Sequence, residues 1–388
     1  MKKLKIAQLG MGHIGYAAAA DLTLAGHEVN LFDFPEFEEK TLDPIREHGG
    51  IYLGPVREEV ELPRSGEAEP TGVITTDLEE AVEGCDVLYI TVPSFAHNRY
   101  FEELAPYLED GQIIFINVGN FGSLVGRNIL MDKGVLPDKD IKIAETNTAP
   151  FSSRKAGYTK EPDKPWKTLI SHYSEEGYLC SALPADDTDE VLKTLRNMYP
   201  HLEPASNVLI TSTQNYNLFH VPVMVCNAGV LESTEGDFYF WGEGGSRRVC
   251  DLMDKTDEER TGVLDKIGVE AKKLVKYLPE SPDTAWEWFH EIYQGTKTSH
   301  ASKIWREGYD DPFQYRYLTE DVPYLMTPLA SLGNSLDVPT PTMDALIELA
   351  SILSQKDFWK EGRKVEDMGL GDFTGEEIKK YVMTGKTD

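Results

Sequence analysis

The amino-acid sequence predicts an α/β domain with a parallel sheet over residues 1–185, followed by an all-helical domain over residues 186–388. In the first half, short apolar, β-branched runs alternate with helical stretches, which is typical of a parallel sheet covered on both faces. After about residue 188 strand-like runs become rare and a helical period takes over. The length of 388 residues suits two or three domains of ~150 residues.

The expected strands begin with residues 5–9, which lead through a glycine-rich turn into an Ala-rich helix over residues 13–25. A second strand over residues 27–32 ends at Asp33. Further strands are expected at residues 73–76, 87–92, 112–118 and 141–145. Residues 36–70, rich in Gly, Pro and Glu, predict an irregular insertion, and a last hairpin is expected from residues 169–171 and 178–182.

The second half predicts helices over residues 191–198, 213–227, 257–277, 322–334 and 341–355. Thr340 and Pro341 form a good helix start, with Thr as the cap and Pro at the first helical position. The boundary between the domains is expected near residues 184–206, and the sequence contains no repeat or low-complexity segment.

The chain carries 38 Lys and Arg against 66 Asp and Glu, a net charge of −28. A field of this sign repels phosphate backbones and anionic lipid, so neither nucleic acid nor a membrane surface is an expected partner. The charge is explained either by solubility or by a preference for cationic substrates, and the sequence leaves both open.

The sequence predicts a cytoplasmic protein. No apolar run reaches the ~18 residues of a membrane helix, and the apolar start is interpreted as a strand because it stops at Gly10. The four cysteines lack CxxC spacing, so reduced thiols and no metal site are expected from Cys85, Cys180, Cys226 and Cys250.

A GxGxxG motif joins the first strand to the first helix. It comprises Gly10, Met11, Gly12, His13, Ile14 and Gly15. The first Gly permits a tight turn, the second a close approach of backbone to pyrophosphate, and the third close packing of helix on strand. This context predicts a Rossmann-type dinucleotide site, with the pyrophosphate at the helix N-terminus.

Asp33 follows the second strand, where a carboxylate would bind the adenosine ribose hydroxyls and repel a 2′-phosphate. No Arg or Lys follows in Phe34-Pro35-Glu36, which favours NAD over NADP. The alternative is a solvated turn residue. Pro93 ends another strand, in a loop expected to flank the nicotinamide ribose. His97 after it is either a site residue or a packing residue.

Several segments resemble the opine dehydrogenase family, the octopine/nopaline-type enzymes. The similar segments are residues 145–151, 207–209, 215–220, 227–229, 316–324 and 362–370. The resemblance implies a Rossmann-type domain, an all-helical domain and an active site in the cleft. It also implies the reductive condensation of an amino acid's amine with an α-keto acid such as pyruvate, using a nicotinamide cofactor. Oligomeric state stays open between monomer and homodimer.

The family's acid/base pair maps to His220 and Asp321, and its substrate-carboxylate Arg maps to Arg316. Two departures, Val221 in place of a second Pro and Leu325 after Tyr324 in place of Gly, leave the shape of the amine pocket open. A histidine with a pKa near the working pH can supply the proton that hydride transfer demands.

Each of these residues also has a structural interpretation. His220 lies in an apolar stretch typical of a core residue, although it shares a helical face with Asn217, Met224 and Asn227. Asp321 can complement a helix dipole, and Arg316 can form a surface ion pair. Trp241 is either core or a wall of the amine pocket, and Ser153 is expected to line the substrate cleft.

Two alternative functions stay open from the sequence. A β-hydroxyacid or glycerol-phosphate type dehydrogenase would rely on a lysine, for which Lys155 and Lys272 are the candidates. A non-catalytic nucleotide-sensing protein would not need an Arg–Asp–His set in the second domain.

Overall fold

The computed structural model describes two compact units of the chain. The first extends to Thr211 and includes Val382–Gly385, and the second comprises Ser212–Tyr381 and the chain from Lys386. The described residues are 2–156, 161, 163–173, 176–235, 239–276, 281–293 and 311–386. No helix among them is both long and apolar enough to cross a membrane.

The first unit is built on an eight-stranded sheet with strand order β12-β11-β8-β7-β6-β1-β2-β5. The strands of this unit are β1 (Lys5–Leu9), β2 (Glu28–Phe32), β3 (Ile51–Pro55), β4 (Gly66–Ala68), β5 (Ile74–Thr75), β6 (Val87–Ile90), β7 (Ile113–Ile116), β8 (Lys142–Thr146), β9 (Phe151–Lys155), β10 (Lys167–Tyr173), β11 (Leu179–Leu183) and β12 (Glu203–Pro204). All neighbours in the large sheet pair in parallel except β8 and β11. The predicted parallel α/β fold is confirmed.

Helices cover both faces of this sheet. The helices of this unit are α1 (His13–Leu24), α2 (Glu38–Thr41), α3 (Asp43–His48), α4 (Leu78–Val82), α5 (His97–Leu104), α6 (Gly122–Asp132) and α7 (Thr188–Leu195). Along β6, Tyr89 packs into the core cluster that contains the alanines of α1, whereas Leu88 and Ile90 pack into the cluster that contains α5. Because both faces are buried, the strands are continuously apolar rather than alternating.

A second sheet, of order β4-β3-β10-β9, corrects two expectations. Residues 36–70 are not an irregular insertion, because they contain α2, α3, β3 and β4. The expected hairpin of residues 169–171 and 178–182 does not form. Instead β10 pairs with β3 and β9, and β11 pairs antiparallel with β8. Pairing between segments as distant as Tyr52 and Lys167 leaves no local signal in the sequence.

Residues 186–211, which the sequence assigned to the second domain, lie in the first unit. The reason is their packing: β12 pairs in parallel with β11, and α7 contacts β11 and β8. The first helix of the helical half, α7, therefore covers the large sheet of the first unit.

Within the described residues, the chain from residue 208 onward is helical, as predicted. Its helices are α8 (Val208–Thr213), α9 (His220–Cys226), α10 (Ala228–Ser233), α11 (Arg247–Ile267), α12 (Ala285–Tyr293), α13 (Arg316–Thr319), α14 (Thr327–Ser335), α15 (Pro341–Ser354), α16 (Phe358–Glu361) and α17 (Gly375–Thr384). The expected helix 213–227 is interrupted by a 3₁₀ turn at Tyr216–Phe219. The expected helix 257–277 begins earlier and ends at Gly268, whose φ of 78° closes α11; Tyr277 lies outside the described residues.

A buried carboxylate on α11 holds the start of α15. Glu259, only 6% exposed, accepts hydrogen bonds from the backbone N–H groups of Thr342 and Met343 at 2.8–3.1 Å. These N–H groups lie in the first turn of α15, where no intrahelical acceptor exists, and the negative charge complements the helix dipole. Since α15 also packs against α9, Glu259 helps position the helix that begins at His220.

Glu259→Ala is expected to lower the free energy of unfolding by about 2 kcal/mol, because buried N–H donors lose a charged acceptor. Urea unfolding followed by circular dichroism measures this change. The matched control is Glu258→Ala, which removes a half-exposed ion pair with Lys255 and should change stability by less than about 0.5 kcal/mol. Equal effects of the two variants would contradict the role given to Glu259.

Candidate active site

The glycine-rich turn between β1 and α1 has the backbone geometry that its sequence predicts. Gly10 has a φ of +86°, and a Cβ there would lie 2.1 Å from Val92 Cγ1. A Cβ on Gly15 would lie 2.0 Å from the Gly10 carbonyl oxygen. Both contacts are far inside van der Waals distance, so side chains at these two positions are excluded.

Gly12 differs from the other two glycines of the turn. A Cβ at Gly12 would meet no atom within 4 Å, so the open space lies where α1 begins. Gly12 is the N-cap of α1, and no side chain caps this helix end within the described structure. A surface without side chains at the positive end of a helix fits a dinucleotide pyrophosphate. Gly10, Met11, Gly12, His13, Ile14 and Gly15 would hold it.

Asp33 is held against this turn and is 5% exposed, so it is not a solvated turn residue. Its Oδ2 accepts a hydrogen bond from Met11 N at 3.1 Å, and its Oδ1 accepts one from Phe34 N at 3.0 Å. Burial raises the pKa of Asp33, whereas these two N–H groups lower it. The carboxylate therefore braces the glycine-rich turn, a role that the sequence did not indicate.

The carbonyl of Gly10 is fixed by two buried side chains that the sequence did not single out. Thr91 Oγ1 and Gln8 Nε2 each donate to Gly10 O at 3.2 Å, and Gln8 Nε2 also donates to Thr91 Oγ1 at 2.7 Å. Pro93 lies two residues after Thr91, at the N-cap position of the 3₁₀ turn Ser94–Ala96. The only local signal was a polar Gln within an otherwise apolar strand.

His97 is fully buried at the start of α5. A Cβ on Gly122 would lie 2.5 Å from its Nδ1, so the imidazole packs tightly against the first turn of α6. This contact corresponds to the packing interpretation of His97.

Ser153, on β9, contacts the first residue of α1. Its hydroxyl donates to the carbonyl of His13 at 2.8 Å, and the residue is 1% exposed. Two residues further along β9, the backbone N–H of Lys155 donates to His13 Nδ1 at 3.0 Å. Through these contacts the second sheet supports the start of α1, directly after the glycine-rich turn. A role of Ser153 in substrate binding stays a prediction.

Lys155, a candidate for the lysine-dependent alternative, is also buried. Its Nζ donates to the carbonyl of Lys40 at 2.9 Å and lies 3.7 Å from the ring centroid of Tyr16. Burial lowers the pKa of Lys155 to about 8. Lys272, the other candidate, is exposed, and its carbonyl accepts a hydrogen bond from Arg260.

In the second unit, His220 and Asp321 form a buried hydrogen-bonded pair. His220 Nδ1 lies 2.7 Å from Asp321 Oδ2, and the two residues are 8% and 1% exposed. Burial raises the pKa of Asp321, whereas the hydrogen bond with His220 lowers it. An ionised carboxylate can only accept, so Nδ1 carries the shared proton in that state and Nε2 is left for other chemistry.

Local backbone structure places both members of the pair at the ends of short elements. Asn215 Oδ1 accepts from Asn217 N at 3.0 Å and starts the 3₁₀ turn, after which His220 begins α9. Pro222 lies in the first turn of α9, where a backbone N–H has no intrahelical acceptor, so proline is tolerated there. Asp321 is the N-cap of a π-helix, Val322–Met326, a rare element often found at functional sites.

Aromatic rings surround the imidazole of His220. Tyr317 stacks on it with ring centroids 3.6 Å apart and an interplanar angle of 18°. Trp241 lies 5.3 Å away at 34°, and Phe240 5.8 Å away at 62°. Trp241 in turn stacks on Phe289 at 4.7 Å. The imidazole is therefore held on several sides by rigid side chains, of which the sequence had indicated only Trp241.

Arg316 begins the short helix that precedes Asp321. Its Nη2 lies 2.8 Å from Glu320 Oε2, and its side chain is 50% exposed, whereas that of Glu320 is 5% exposed. Arg316 thus forms the expected ion pair, but this pair involves only one side of its guanidinium. The half-exposed fork has five N–H donors, more than one carboxylate oxygen requires.

The structure brings His220, Asp321 and Trp241 together in the second unit, with Arg316 on the same short segment as Asp321. It brings the glycine-rich turn, Asp33 and Ser153 together in the first unit. A dinucleotide turn and a buried His–Asp pair are the groups that a nicotinamide-dependent oxidoreductase requires for binding its cofactor and moving a proton.

The family comparisons agree with this class. Residues 204–354 match the family described as NAD/NADP octopine/nopaline dehydrogenase, alpha-helical domain. Residues 5–119 match the NAD-dependent glycerol-3-phosphate dehydrogenase N-terminus. The second match concerns the cofactor-binding half alone, whereas the first concerns the half that contains His220 and Asp321.

The chain is 30% identical to an opine dehydrogenase of Arthrobacter sp. (strain 1C) over 381 residues, 97% of this chain and 98% of the relative. It is 24% identical to the octopine dehydrogenase of Mizuhopecten yessoensis over 302 residues, 72% of each chain. A solved octopine dehydrogenase structure with NADH and pyruvate has the same fold, with a TM-score of 0.71, 21% identity, and 100% and 99% of the two chains covered. The chain belongs to the opine dehydrogenase family, and it is an NAD(P)-dependent oxidoreductase acting on CH–NH donors.

NADH should be preferred over NADPH by at least about tenfold in kcat/KM, or about 1.4 kcal/mol, because the Asp33 carboxylate repels a 2′-phosphate. Steady-state kinetics with each cofactor measures the ratio. Equal or better use of NADPH would overturn the assignment of Asp33.

His220→Ala should lower turnover by about 10²-fold or more, the range for removal of a general acid–base. NADH affinity, measured by nucleotide fluorescence, should stay within about twofold, since the cofactor turn lies in the other unit. The matched control is His201→Ala, at an exposed position. A His220→Ala enzyme that keeps more than half of wild-type turnover would exclude the pair from catalysis.

Proposed function

We propose that this chain joins the amine of an amino acid to the carbonyl carbon of an α-keto acid such as pyruvate, with NADH as the reductant. The supporting observation is the buried 2.7 Å hydrogen bond between His220 and Asp321, in a chain of the opine dehydrogenase family. The reaction forms a C=N bond with loss of water and then reduces it to a secondary amine. In the reverse direction, the same groups would oxidise the secondary amine.

His220 would hold and move the proton in this reaction. With Nδ1 committed to Asp321, its Nε2 is the atom that can donate to the substrate in reduction and accept in oxidation. Asp321 would keep the ring oriented through its bond to Nδ1. When bound, the reduced nicotinamide supplies the hydride.

Arg316 would hold a substrate carboxylate. Its guanidinium is half exposed and stands five residues before Asp321, and a planar fork suits a carboxylate with two oxygens. Glu320, which contacts one nitrogen of the fork, would fix its direction. In a chain of net charge −28, an anionic substrate needs such a local positive group.

Two further residues would contact substrate, Trp241 in the second unit and Ser153 on β9. Trp241, at 5.3 Å from the His220 ring, would form a wall of the amine pocket. Ser153 would bind substrate from β9, where its hydroxyl also donates to His13 O. We place the enzyme in the cytoplasm, because its four cysteines lack CxxC spacing and are expected to be reduced thiols.

The test is an incubation with NADH, pyruvate and a panel of amino acids, followed by mass spectrometry. We expect NADH oxidation that depends on the amine and a product in which amine and keto acid are joined with loss of one oxygen. Amine-independent oxidation that yields only the hydroxy acid would instead support the β-hydroxyacid type of dehydrogenase.

Arg316→Lys should raise the KM for the keto acid or the amino acid by about tenfold or more, because lysine keeps the charge but loses the paired geometry. Steady-state kinetics against both substrates measures this, with NADH affinity as the internal reference. The matched control, Arg248→Lys, alters an exposed ion pair with Asp251 and should leave both constants unchanged. Unchanged constants in Arg316→Lys would remove this residue from the site.

A further inference from the structure

A charged cluster of Arg99, Glu36 and Glu103 lies near Asp33, the residue that contacts the glycine-rich turn. The Cζ of Arg99, on α5, lies 3.5 Å from the ring centroid of Phe34, and Phe34 is the residue whose N–H donates to Asp33. Residues 34–39, directly after Asp33, contain no cation, but the fold supplies one from a distant segment.

Two carboxylates form ion pairs with this guanidinium. Arg99 Nη1 forms an ion pair with Glu36, and Arg99 Nε lies 3.0 Å from Glu103 Oε1. Glu36 belongs to the turn directly after Asp33, and Glu103 lies one helical turn beyond Arg99. The three side chains are 44–47% exposed, so they face solvent and can meet a ligand. Two carboxylates around one guanidinium leave the cluster with a net negative charge.

We propose that Glu36 and Glu103 are determinants of cofactor choice, because they neutralise the one exposed guanidinium stacked on Phe34. A 2′-phosphate on the adenosine ribose would lie near Asp33 and would find Arg99 already paired. Asp33 repels the phosphate directly. The two glutamates neutralise Arg99, the cation that could otherwise bind the phosphate. Lys155, the cation whose charge lowers the pKa of Asp33, is buried and bound to the carbonyl of Lys40, so it is not available to a phosphate.

The consequence is that removing the two glutamate charges converts the cluster into a phosphate-binding group without touching Asp33. Glu36→Gln/Glu103→Gln should tighten NADPH binding by about tenfold, the effect of roughly one charge-assisted contact, and change NADH binding by less than about twofold. The gain should shrink at high ionic strength, since the exposed charges are screened. Adding Arg99→Gln should abolish the gain.

The experiment measures dissociation constants of NADPH and NADH in binary complexes by nucleotide fluorescence, without keto acid or amine, so it is independent of the proposed reaction. The chain offers a closely matched control. Arg46 pairs with Glu38 and Asp43 in the neighbouring helices, and Glu38→Gln/Asp43→Asn removes the same number of carboxylate charges from a different guanidinium.

Three results would overturn the proposal. One is an unchanged dissociation constant for NADPH in Glu36→Gln/Glu103→Gln. Another is an equal gain in the Glu38→Gln/Asp43→Asn control, which would make the effect one of overall charge. The third is a gain that persists after Arg99→Gln, which would show that the guanidinium does not contact the phosphate.

Discussion

The hydrogen bond between His220 and Asp321 is the interaction on which the site in the second unit depends. A carboxylate that is 1% exposed is costly to bury unless it is paired, and its Oδ1 has no partner among the described residues. The imidazole is therefore the main group that compensates this burial, and the charge of Arg316 adds to it. Under the proposed function, the same bond would fix which ring nitrogen is available to a substrate, so the burial of Asp321 and the proposed proton transfer would depend on one contact.

The elements around this pair serve to hold it. The 3₁₀ turn before α9 ends at His220, and the π-helix begins directly after Asp321. Tyr317 stacks on the imidazole at 3.6 Å. Rings that are locked by packing keep a catalytic group within the small tolerance that proton transfer requires. In the first unit, Asp33, Thr91 and Gln8 constrain the glycine-rich turn in a comparable way.

The parts of the structure that were predictable have local signals. The GxGxxG motif, β1, α1 and β2 follow one another within about 30 residues, so spacing alone identifies them. The second sheet was missed because β3 and β10 are distant in sequence. The bonds from Ser153 to His13 and from Asp33 to Met11 exist only after folding. His220 and Asp321 stand about a hundred residues apart, so only the family resemblance linked them.

The protonation state of His220 tests the central claim most directly. Nitrogen-15 NMR of histidine-labelled protein distinguishes the two neutral tautomers, and the loss of signals in His220→Ala assigns the resonances. The account predicts that neutral His220 carries its proton on Nδ1, bound to Asp321, and leaves Nε2 unprotonated. A neutral ring protonated on Nε2 would contradict it, because Asp321 would then not orient the imidazole for proton transfer.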